Sequence, residues 1–305
     1  MPEGLPGRLP GRLPGRHVRG LPVVSGPLVM GVVNVTPDSF SDGGRFSGAH
    51  EAVAHGLAMV EEGADLLDIG GESTRPGATR PLVTEELARV IPVITDLVGH
   101  GALVSVDTMR SEVAEAALAA GAQVVNDVSG GLADPDILRV VAEHDAAFVA
   151  MHWRGHSDTM QQRASYDDVV GEVCTELRRR IDDALAAGVA PDRMAVDPGL
   201  GFAKTAAHNW ELLQGLPALD VLGLPVLLGS SRKSFIGALL ADADGNPRPP
   251  LDREDANTAL TTIAGLLGVW AVRVHEVRAS VDALKVVARL LFGAPERPGK
   301  VGEDD

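Results

Sequence analysis

The amino-acid sequence predicts an α/β protein: a single (β/α)8 TIM barrel with long, mobile first and second βα loops. Two observations indicate this fold. Short apolar runs alternate with helical segments eight times along the chain, and each apolar run ends in a polar or charged residue. Buried parallel strands have this apolar character, and such barrels carry their active sites at the carboxyl ends of the strands. The pattern therefore predicts both the architecture and the place of the functional site.

Strand and helix segments follow one another in a regular order. The apolar runs, predicted as strands, span residues 29–33, 66–69, 103–106, 124–125, 147–151, 194–196, 226–228 and 271–274. Apolar residues one helical turn apart and helix-end signals predict helices over residues 49–62, 84–98, 110–120, 136–143, 168–187, 206–214, 255–267 and 278–291. This alternation favours a closed barrel over an open doubly wound sheet. The glycine fingerprint of dinucleotide-binding folds is also missing after the first predicted strand.

Composition narrows the class of protein. With 305 residues, of which 45% are hydrophobic, the chain can bury one large core. Its formal net charge of −15 argues against non-specific nucleic-acid binding. The single cysteine, Cys174, excludes an intramolecular disulfide framework, and neither a bilayer-spanning apolar run nor the apolar core of a signal peptide is found. We therefore expect a cytoplasmic protein that binds neither nucleic acid nor membrane.

The chain is expected to divide into one domain and two tails. Residues 1–22 are rich in Gly, Pro, Arg and Leu and have too little apolar content to fold, so they are predicted to be a disordered extension. Residues 294–305 are predicted to be a disordered tail for the same reason. Residues 23–293 lack a linker rich in Pro, Gly or Ser, and we expect them to form the single folded domain.

The first two loops at the predicted barrel mouth are polar and contain paired glycines. The first begins at Asn34 and contains Phe40 and Asp42, while the second, Gly-Gly-Glu-Ser-Thr-Arg-Pro-Gly, contains Thr74 and Arg75. Free backbone N–H groups together with an arginine can hold phosphate oxygens. Each loop alone is a weak signal, because well-capped turns have similar sequences.

Polar residues at the ends of the third, fourth and sixth predicted strands indicate a ligand that carries N–H donors. They are Asp107, the neighbours Asn126 and Asp127, and Asp197. Acids inside apolar strands are costly unless they meet donors, which come either from neighbouring backbone N–H groups or from the edge of a pterin-like or guanine-like heterocycle. Successive side chains of a strand point in opposite directions, so only one of the two neighbours can face the ligand. We favour Asn126.

The last two predicted strands indicate an anion site. Phosphate sites in barrels of this kind favour the loops after strands seven and eight. Arg273 and His275 are two residues apart, so both side chains point to one face of the eighth strand. Lys233 lies at the start of a helix, where the helix dipole favours an acid over a cation. Its position there indicates a role in ligand binding.

Together, the motifs at the strand ends resemble those of the dihydropteroate synthase family, the sulfonamide target of folate synthesis. In order, they are NVTPDSFSDGG, GGESTRPG, SVDT, NDVSGG, DPGLGF, SRKS and RVH. The resemblance implies a pterin-binding transferase that joins 6-hydroxymethyl-7,8-dihydropterin diphosphate to 4-aminobenzoate and releases diphosphate and 7,8-dihydropteroate. It also implies Mg2+ as cofactor, a homodimer, and sulfonamides as inhibitors.

The resemblance further implies which residues bind each part of the substrates. The pterin would be bound by Asp107, Asn126, Met151, Asp197, Phe202 and Lys233. The diphosphate would be bound by Asn34, Thr74, Arg75, Arg273 and His275, with Asn34 also contacting Mg2+. The 4-aminobenzoate would be bordered by Phe40, Thr74, Arg75, Pro76, Phe202 and Ser234. The implied catalytic residues are Asp42, Lys233, Arg273 and His275.

The expected chemistry is dissociative, because aryl amines are weak nucleophiles. Breaking the C–O bond first leaves a methylene cation delocalised into the dihydropterin, and Asp42 on the first loop is suited to stabilising it. Three residues depart from the family pattern: Leu200, Ala203 and Glu276 stand where Phe, Gly and Asp are more usual. Two alternatives stay open, a catalytically silent pterin-binding paralogue and a pterin-dependent methyltransferase.

Overall fold

The computed structural model describes residues 12–35, 44–72, 80–156 and 160–293. Its strands are β1 (Leu28–Asn34), β2 (Leu66–Gly70), β3 (Val104–Asp107), β4 (Val124–Asp127), β5 (Ala147–Met151), β6 (Met194–Asp197), β7 (Leu227–Leu228) and β8 (Ala271–Val274). Its α-helices are α1 (Gly44–Glu62), α2 (Val83–Gly99), α3 (Ser111–Ala119), α4 (Asp136–Glu143), α5 (Val169–Ala186), α6 (Ala206–Gln214), α7 (Ser234–Leu239), α8 (Glu254–Leu267) and α9 (Val277–Phe292).

The strands form one parallel sheet that closes almost completely on itself. Their spatial order is β6-β5-β4-β3-β2-β1-β8-β7, and every pairing is parallel. Between β6 and β7 the contact is a single parallel bridge from Val196 to Val226. The predicted (β/α)8 barrel is therefore confirmed, with its weakest seam at the β6–β7 junction.

Alternation along the strands separates two cores. One face of each strand packs against the surrounding helices, in a large cluster that includes Val29, Ile69, Val106 and Phe148. The other face fills the lower half of the barrel with Leu28, Met30, Leu66, Val124, Val149, Ala195, Leu227 and Ala271. Nearer the carboxyl ends of the strands, polar side chains replace these apolar ones. The barrel interior is thus filled with apolar side chains toward the amino ends of the strands and is polar at their carboxyl ends, as expected for this architecture.

The helices follow the predicted order, with ends shifted by a few residues. The largest shift is at α1, which begins at Gly44 and not near residue 49. A short helix, α7, follows β7 and places Lys233 at its N-cap position. The segments before α5 and α8 contain short 3-10 turns at Met160–Arg163 and Pro250–Arg253. Within the described ranges, no helix has the length and apolar character to cross a membrane.

The amino-terminal segment differs from the expected disordered extension over residues 12–22. Leu13, Val18 and Leu21 are buried, and the Leu13 N–H donates to the carbonyl of Leu267 at the end of α8 (2.7 Å). Val18 and Leu21 join the lower barrel core. Arg16 and Arg19 of the segment pair with acids of this acidic chain, as in Arg19 with Asp145 (2.9 Å). Apolar residues spaced along the segment thus gain a surface to bury against, which composition alone does not reveal.

Candidate active site

The strand register lines up polar side chains at the mouth of the barrel. Asn34 pairs with Gly70, Gly70 with Asp107, and Asp107 with Asn126, on the neighbouring strands β1 to β4. On the next pair of strands, Met151 of β5 is opposite Asp197 of β6. Because all strands are parallel, their carboxyl ends meet at one rim. Residues far apart in sequence therefore surround a common cleft.

Arg273 of β8 lies between two carboxylates of this rim. Its Nε donates to Asp68 Oδ2 (2.6 Å), and one of its Nη atoms donates to Asp107 Oδ2 (2.7 Å). Asp68 also accepts a hydrogen bond from Asn126 Nδ2 (2.9 Å). Burial raises the pKa of Asp107, and the Arg273 charge opposes that rise. Burial would lower the pKa of Arg273, but the two carboxylates outweigh it and raise the value.

Asp68 is a site residue that the sequence analysis missed. It is fully buried in the middle of β2, and its Oδ1 atom has no hydrogen-bond partner among the described residues. The available signal was an acid inside the apolar sequence Leu-Leu-Asp-Ile-Gly. An acid in such a strand is costly unless it meets donors, and the donors are supplied by Asn126 and Arg273.

Asp197 and Lys233 form the other side of the cleft. The Gly199 N–H donates to Asp197 Oδ1 (2.7 Å), and Lys233 Nζ lies 4.2 Å from the centre of the Phe202 ring. Burial raises the pKa of Asp197, while the Gly199 hydrogen bond and the Lys233 charge lower it. Burial lowers the pKa of Lys233 to about 8, and the Asp197 charge opposes this change. The cleft therefore has a carboxylate and an ammonium group next to an aromatic face.

His275 approaches the cleft from β8. Its Nδ1 lies 2.8 Å from Ser231 Oγ, and its backbone N–H donates to the same oxygen (3.3 Å). Ser231 belongs to the Ser-Ser-Arg-Lys-Ser segment after β7, so this contact connects the loops after the last two strands. Arg273 and His275 both line the cleft, as their spacing on one strand face predicts.

The cleft gathers most of the sequence-predicted residues that lie in the described ranges. It is lined by Asp107, Asn126, Val128, Met151, Asp197, Leu200, Phe202, Gly229, Ser231, Lys233, Arg273 and His275. Asn34 lies on the rim at the end of β1, and Ser234 is exposed at the first turn of α7. The predicted residues Phe40, Asp42, Thr74, Arg75 and Pro76 lie outside the described residues.

The choice between Asn126 and Asp127 is decided by strand geometry. Asn126 lines the cleft, whereas Asp127 points away and accepts hydrogen bonds from the Ser129 N–H and hydroxyl (both 2.8 Å) and from the Gly131 N–H (2.7 Å). Asp127 is therefore satisfied by the turn that follows β4. Burial nevertheless raises its pKa to about 6.

The described residues offer few protein ligands for a metal ion. No group of three or more His, Cys, Asp or Glu side chains in these ranges could hold one. The carboxamide of Asn34 is one neutral oxygen ligand close to Asp107, since both flank Gly70 at the rim. Mg2+ commonly keeps several waters and takes only one or two protein oxygens together with substrate phosphates. A single carboxamide oxygen beside a carboxylate is compatible with a Mg2+ ion that keeps most of its waters.

Comparisons of sequence and of structure with known proteins agree on one family. The family model described as pterin binding enzyme matches residues 30–275. The chain is 55% identical over 269 residues to the dihydropteroate synthase of Mycobacterium leprae (strain TN), covering 88% of this chain and 95% of that protein. The dihydropteroate synthase of Xanthomonas albilineans with 4-aminobenzoic acid has a TM-score of 0.80 and 49% identity, covering 88% of this chain and 94% of that one. That of Yersinia pestis with a sulfonamide drug complex has a TM-score of 0.82 and 39% identity, covering 90% and 98%.

Proposed function

The chain belongs to the pterin-binding enzyme family and has dihydropteroate synthase function, and we propose that its reaction takes place in the cleft at the carboxyl end of the barrel. In this reaction the amine of 4-aminobenzoate forms a C–N bond to the methylene carbon of 6-hydroxymethyl-7,8-dihydropterin diphosphate. The C–O bond to diphosphate breaks, and the amine loses a proton. The products are 7,8-dihydropteroate and diphosphate.

The observation that carries the proposal is that hydrogen-bond acceptors and a lysine line the same cleft. Asp107, Asn126 and Asp197 line it with Lys233. A pterin edge presents adjacent ring N–H and amino donors, which carboxylate and carboxamide oxygens accept. Its ring acceptors suit the Lys233 ammonium group. Met151 and Phe202 would pack on the apolar faces of the ring system.

The diphosphate would lie toward β8 and β1. Two donor groups of Arg273 are taken by Asp68 and Asp107, so the remaining Nη group would meet the diphosphate, with His275 beside it. Asn34 would contribute an oxygen to Mg2+, which when bound neutralises charge on the departing diphosphate. Thr74 and Arg75 of the second loop would complete the anion site, as the sequence motif implies.

The 4-aminobenzoate pocket would lie nearer the solvent. Phe202 after β6 and the exposed Ser234 at the start of α7 would border this pocket. From the first two loops, the residues that would border it are Phe40, Thr74, Arg75 and Pro76. Asp42 would face the methylene cation of a dissociative step. Positioning and electrostatic stabilisation would then supply most of the rate enhancement. Sulfonamides would compete for the same pocket.

A direct test follows diphosphate release by the purified protein with dihydropterin diphosphate and Mg2+, with and without 4-aminobenzoate. Diphosphate release that requires the amine and yields dihydropteroate would support the proposed reaction. A weaker binding of dihydropterin diphosphate by Asp197→Asn would support its place in this cleft. Pterin binding without turnover would instead indicate the silent paralogue, and turnover unaffected by Asp197→Asn would place the reaction elsewhere.

The dissociative step has its own test. The label is 18O in the oxygen that joins the methylene carbon to the diphosphate. Reversible cleavage of this C–O bond moves the label into non-bridging positions of the recovered substrate. We expect this exchange when an unreactive analogue replaces 4-aminobenzoate. Recovery of substrate with the label unmoved would favour direct displacement.

Assembly and location are further parts of the proposal. Exposed apolar side chains on the adjacent helices α8 and α9 support a homodimer that packs through them: Ile263, Val286, Leu290 and Phe292. The one cysteine, Cys174, is unpaired and partly buried, which suits the reducing cytoplasm in which we place the enzyme.

A further inference from the structure

The loop after β6 is held in place by a buried lysine that the reaction scheme does not use. Lys204 is only 3% exposed. Its Nζ donates to the carbonyls of Gly199 and Phe202 (both 3.1 Å) and lies 2.9 Å from His152 Nδ1. A buried ammonium group is costly unless each of its N–H groups finds an acceptor. Lys204 has three such acceptors, and two of them belong to the loop itself.

The hydrogen bonds around His152 fix the direction of each donor. Burial raises the pKa of Glu176, but the hydrogen bonds from His152 and Arg154 outweigh it and lower the value to about 2, so Glu176 is an acceptor. His152 Nε2, 3.0 Å from Glu176 Oε2, must therefore carry a proton. Burial and the Lys204 charge lower the pKa of His152 to about 4, which keeps the ring neutral. Its Nδ1 is then an acceptor, and Lys204 is its donor.

The loop held by Lys204 orients two of the groups that face the proposed pterin, Asp197 at the end of β6 and Phe202 in the loop itself. The Gly199 N–H donates to Asp197, and Phe202 presents its ring to Lys233. Its backbone is irregular, with positive φ at Gly199 (70°) and Ala203 (48°). Since Ala carries a Cβ, the left-handed conformation at Ala203 is unfavourable without surrounding contacts. Tyr166 adds one such contact by donating its hydroxyl to the Ala203 carbonyl (3.0 Å).

We propose that Lys204 is a positioning residue of the reaction, which holds the loop after β6 so that Asp197 and Phe202 face the pterin. Burial lowers the pKa of Lys204 to about 7, so its ammonium form predominates below that pH. His152, Glu176 and Arg154 form the outer support of this amine group. Arg154 donates to both Glu172 (2.7 Å) and Glu176 (2.5 Å) and lies over the Tyr166 ring (3.9 Å). The inference rests on the proposed place of the pterin between Asp197 and Lys233.

The test compares Lys204→Met with the parent enzyme and with Val141→Ala. Methionine keeps the length of the lysine side chain but removes its donors. Val141 is fully buried in α4, away from the cleft, so its truncation lowers stability without disturbing the loop. We expect Lys204→Met to raise the KM for both substrates about tenfold or more, because small misplacements of binding groups are costly. Val141→Ala should leave both KM values within about twofold of the parent.

The possible outcomes separate a failure of this inference from a failure of the proposed function. If Lys204→Met and Val141→Ala lose thermal stability alike and keep parental KM values, Lys204 is only structural. If Asp197→Asn weakens pterin binding and Lys204→Met does not, the positioning role fails while the proposed function stands. If Asp197→Asn has no effect either, the proposed pterin site is wrong. If Lys204→Met fails to fold, Lys204→Gln replaces it in the test. Glutamine keeps two donors, so we expect both KM values to rise, but by less than the tenfold rise expected for methionine. Parental KM values in Lys204→Gln would exclude the positioning role.

A measurement on the unaltered protein tests the geometry itself. Nitrogen-15 NMR at pH 6, with the signal assigned by comparison with His152→Gln, should show neutral His152 protonated at Nε2. Protonation at Nδ1 would mean that Lys204 does not donate to this ring and would contradict the proposed support.

Discussion

At the scale of single residues, the site is built around buried opposite charges. Arg273 sits between Asp68 and Asp107 at hydrogen-bond distance from both. Removing one partner from such a buried group leaves an uncompensated charge, which commonly costs about 3–5 kcal/mol. The same cluster would bind a pterin through Asp107 and a diphosphate through Arg273. One network thus connects the two halves of the substrate.

Lys233→Ala tests the cation that faces the pterin. Loss of a charged hydrogen bond should weaken dihydropterin diphosphate binding by about 1–3 kcal/mol, measured by calorimetry without 4-aminobenzoate. Ser234→Ala is a neighbouring control, since Ser234 is exposed and is assigned to the other substrate. An unchanged pterin affinity in Lys233→Ala would remove this residue from the pterin site.

The pH dependence of activity should report the same lysine. The pKa of Lys233 is about 8, so the group is cationic below that value and loses its charge as pH rises through it. We expect kcat/KM to fall above about pH 8, because this parameter follows the ionisation of the free enzyme. Lys233→Arg keeps the charge and should move the alkaline limb to higher pH. A limb that stays in place would assign the ionisation to another group.

At the scale of elements, the loops after β6 and β7 share one device. Each carries a cleft residue, and each has backbone carbonyls that accept hydrogen bonds from a buried cation. For the loop after β7 the cation is Arg253, which lies just before α8 and is 7% exposed. Its guanidinium donates to the carbonyls of Arg232 (2.7 Å) and Lys233 (3.2 Å) in that loop, and to the carbonyl of Arg248 (2.7 Å) between α7 and α8. Burial lowers the pKa of Arg253. These hydrogen bonds to backbone carbonyls stabilise the irregular loops at the barrel mouth, as inter-strand hydrogen bonds stabilise the strands.

Arg253→Met should therefore destabilise the fold. The change leaves buried carbonyls without donors, and we expect the free energy of unfolding to fall by roughly 3 kcal/mol in urea titrations. Arg248→Ala removes an exposed arginine side chain between α7 and α8 and should change the free energy of unfolding by less than about 0.5 kcal/mol. Equal effects of the two variants would show that the carbonyl contacts of Arg253 contribute little.

At the scale of the whole molecule, the two ends of the barrel have different tasks. The carboxyl end carries the cleft, whereas the amino end is closed by the segment that precedes β1. Leu21 is buried there in the cluster that includes Leu28 and Met30, although its neighbour Val23 is 68% exposed. Stability at one end is therefore separable from chemistry at the other.

Leu21→Ala tests this separation. Truncation of a buried leucine should lower the free energy of unfolding by about 2 kcal/mol or more, with kcat and both KM values unchanged at a temperature where the variant is folded. Val23→Ala, at an exposed position two residues away, should be nearly neutral. A large loss of activity in folded Leu21→Ala would contradict the independence of the two ends.

The proposed dimer gives the second prediction at this scale. Val286 is 67% exposed on α9, close to Leu290 one helical turn on. If α8 and α9 form the subunit contact, Val286→Glu should shift the protein toward monomer in sedimentation equilibrium, because a buried unpaired charge opposes association. Arg278→Gln, on the first turn of the same helix, changes the net charge by the same −1 and serves as the charge-matched control. A parental dimer in Val286→Glu would place the contact elsewhere.

Local patterns predicted a large part of this outcome. Apolar runs ending in Asn34, Asp107, Asp197 and His275 placed the strands and the polar rim, because strand ends of a parallel barrel meet at one edge. Strand alternation required that only one of Asn126 and Asp127 face the cleft, and the favoured Asn126 is the one that lines it. The roles of these residues in binding stay predictions, and the first two loops contribute residues outside the described ranges.

The sequence by itself determined the barrel, the edge that carries the site and most side chains at that edge, because these depend on local periodicity and on motifs. Only the tertiary structure decided which charges pair. Asp68 meets Arg273 across 205 positions of chain, Lys204 reaches His152 across 52, and the residues before β1 find their apolar surface at the closed end of the barrel. Pairing energies fall steeply with distance, and a linear pattern does not contain the distances that folding creates.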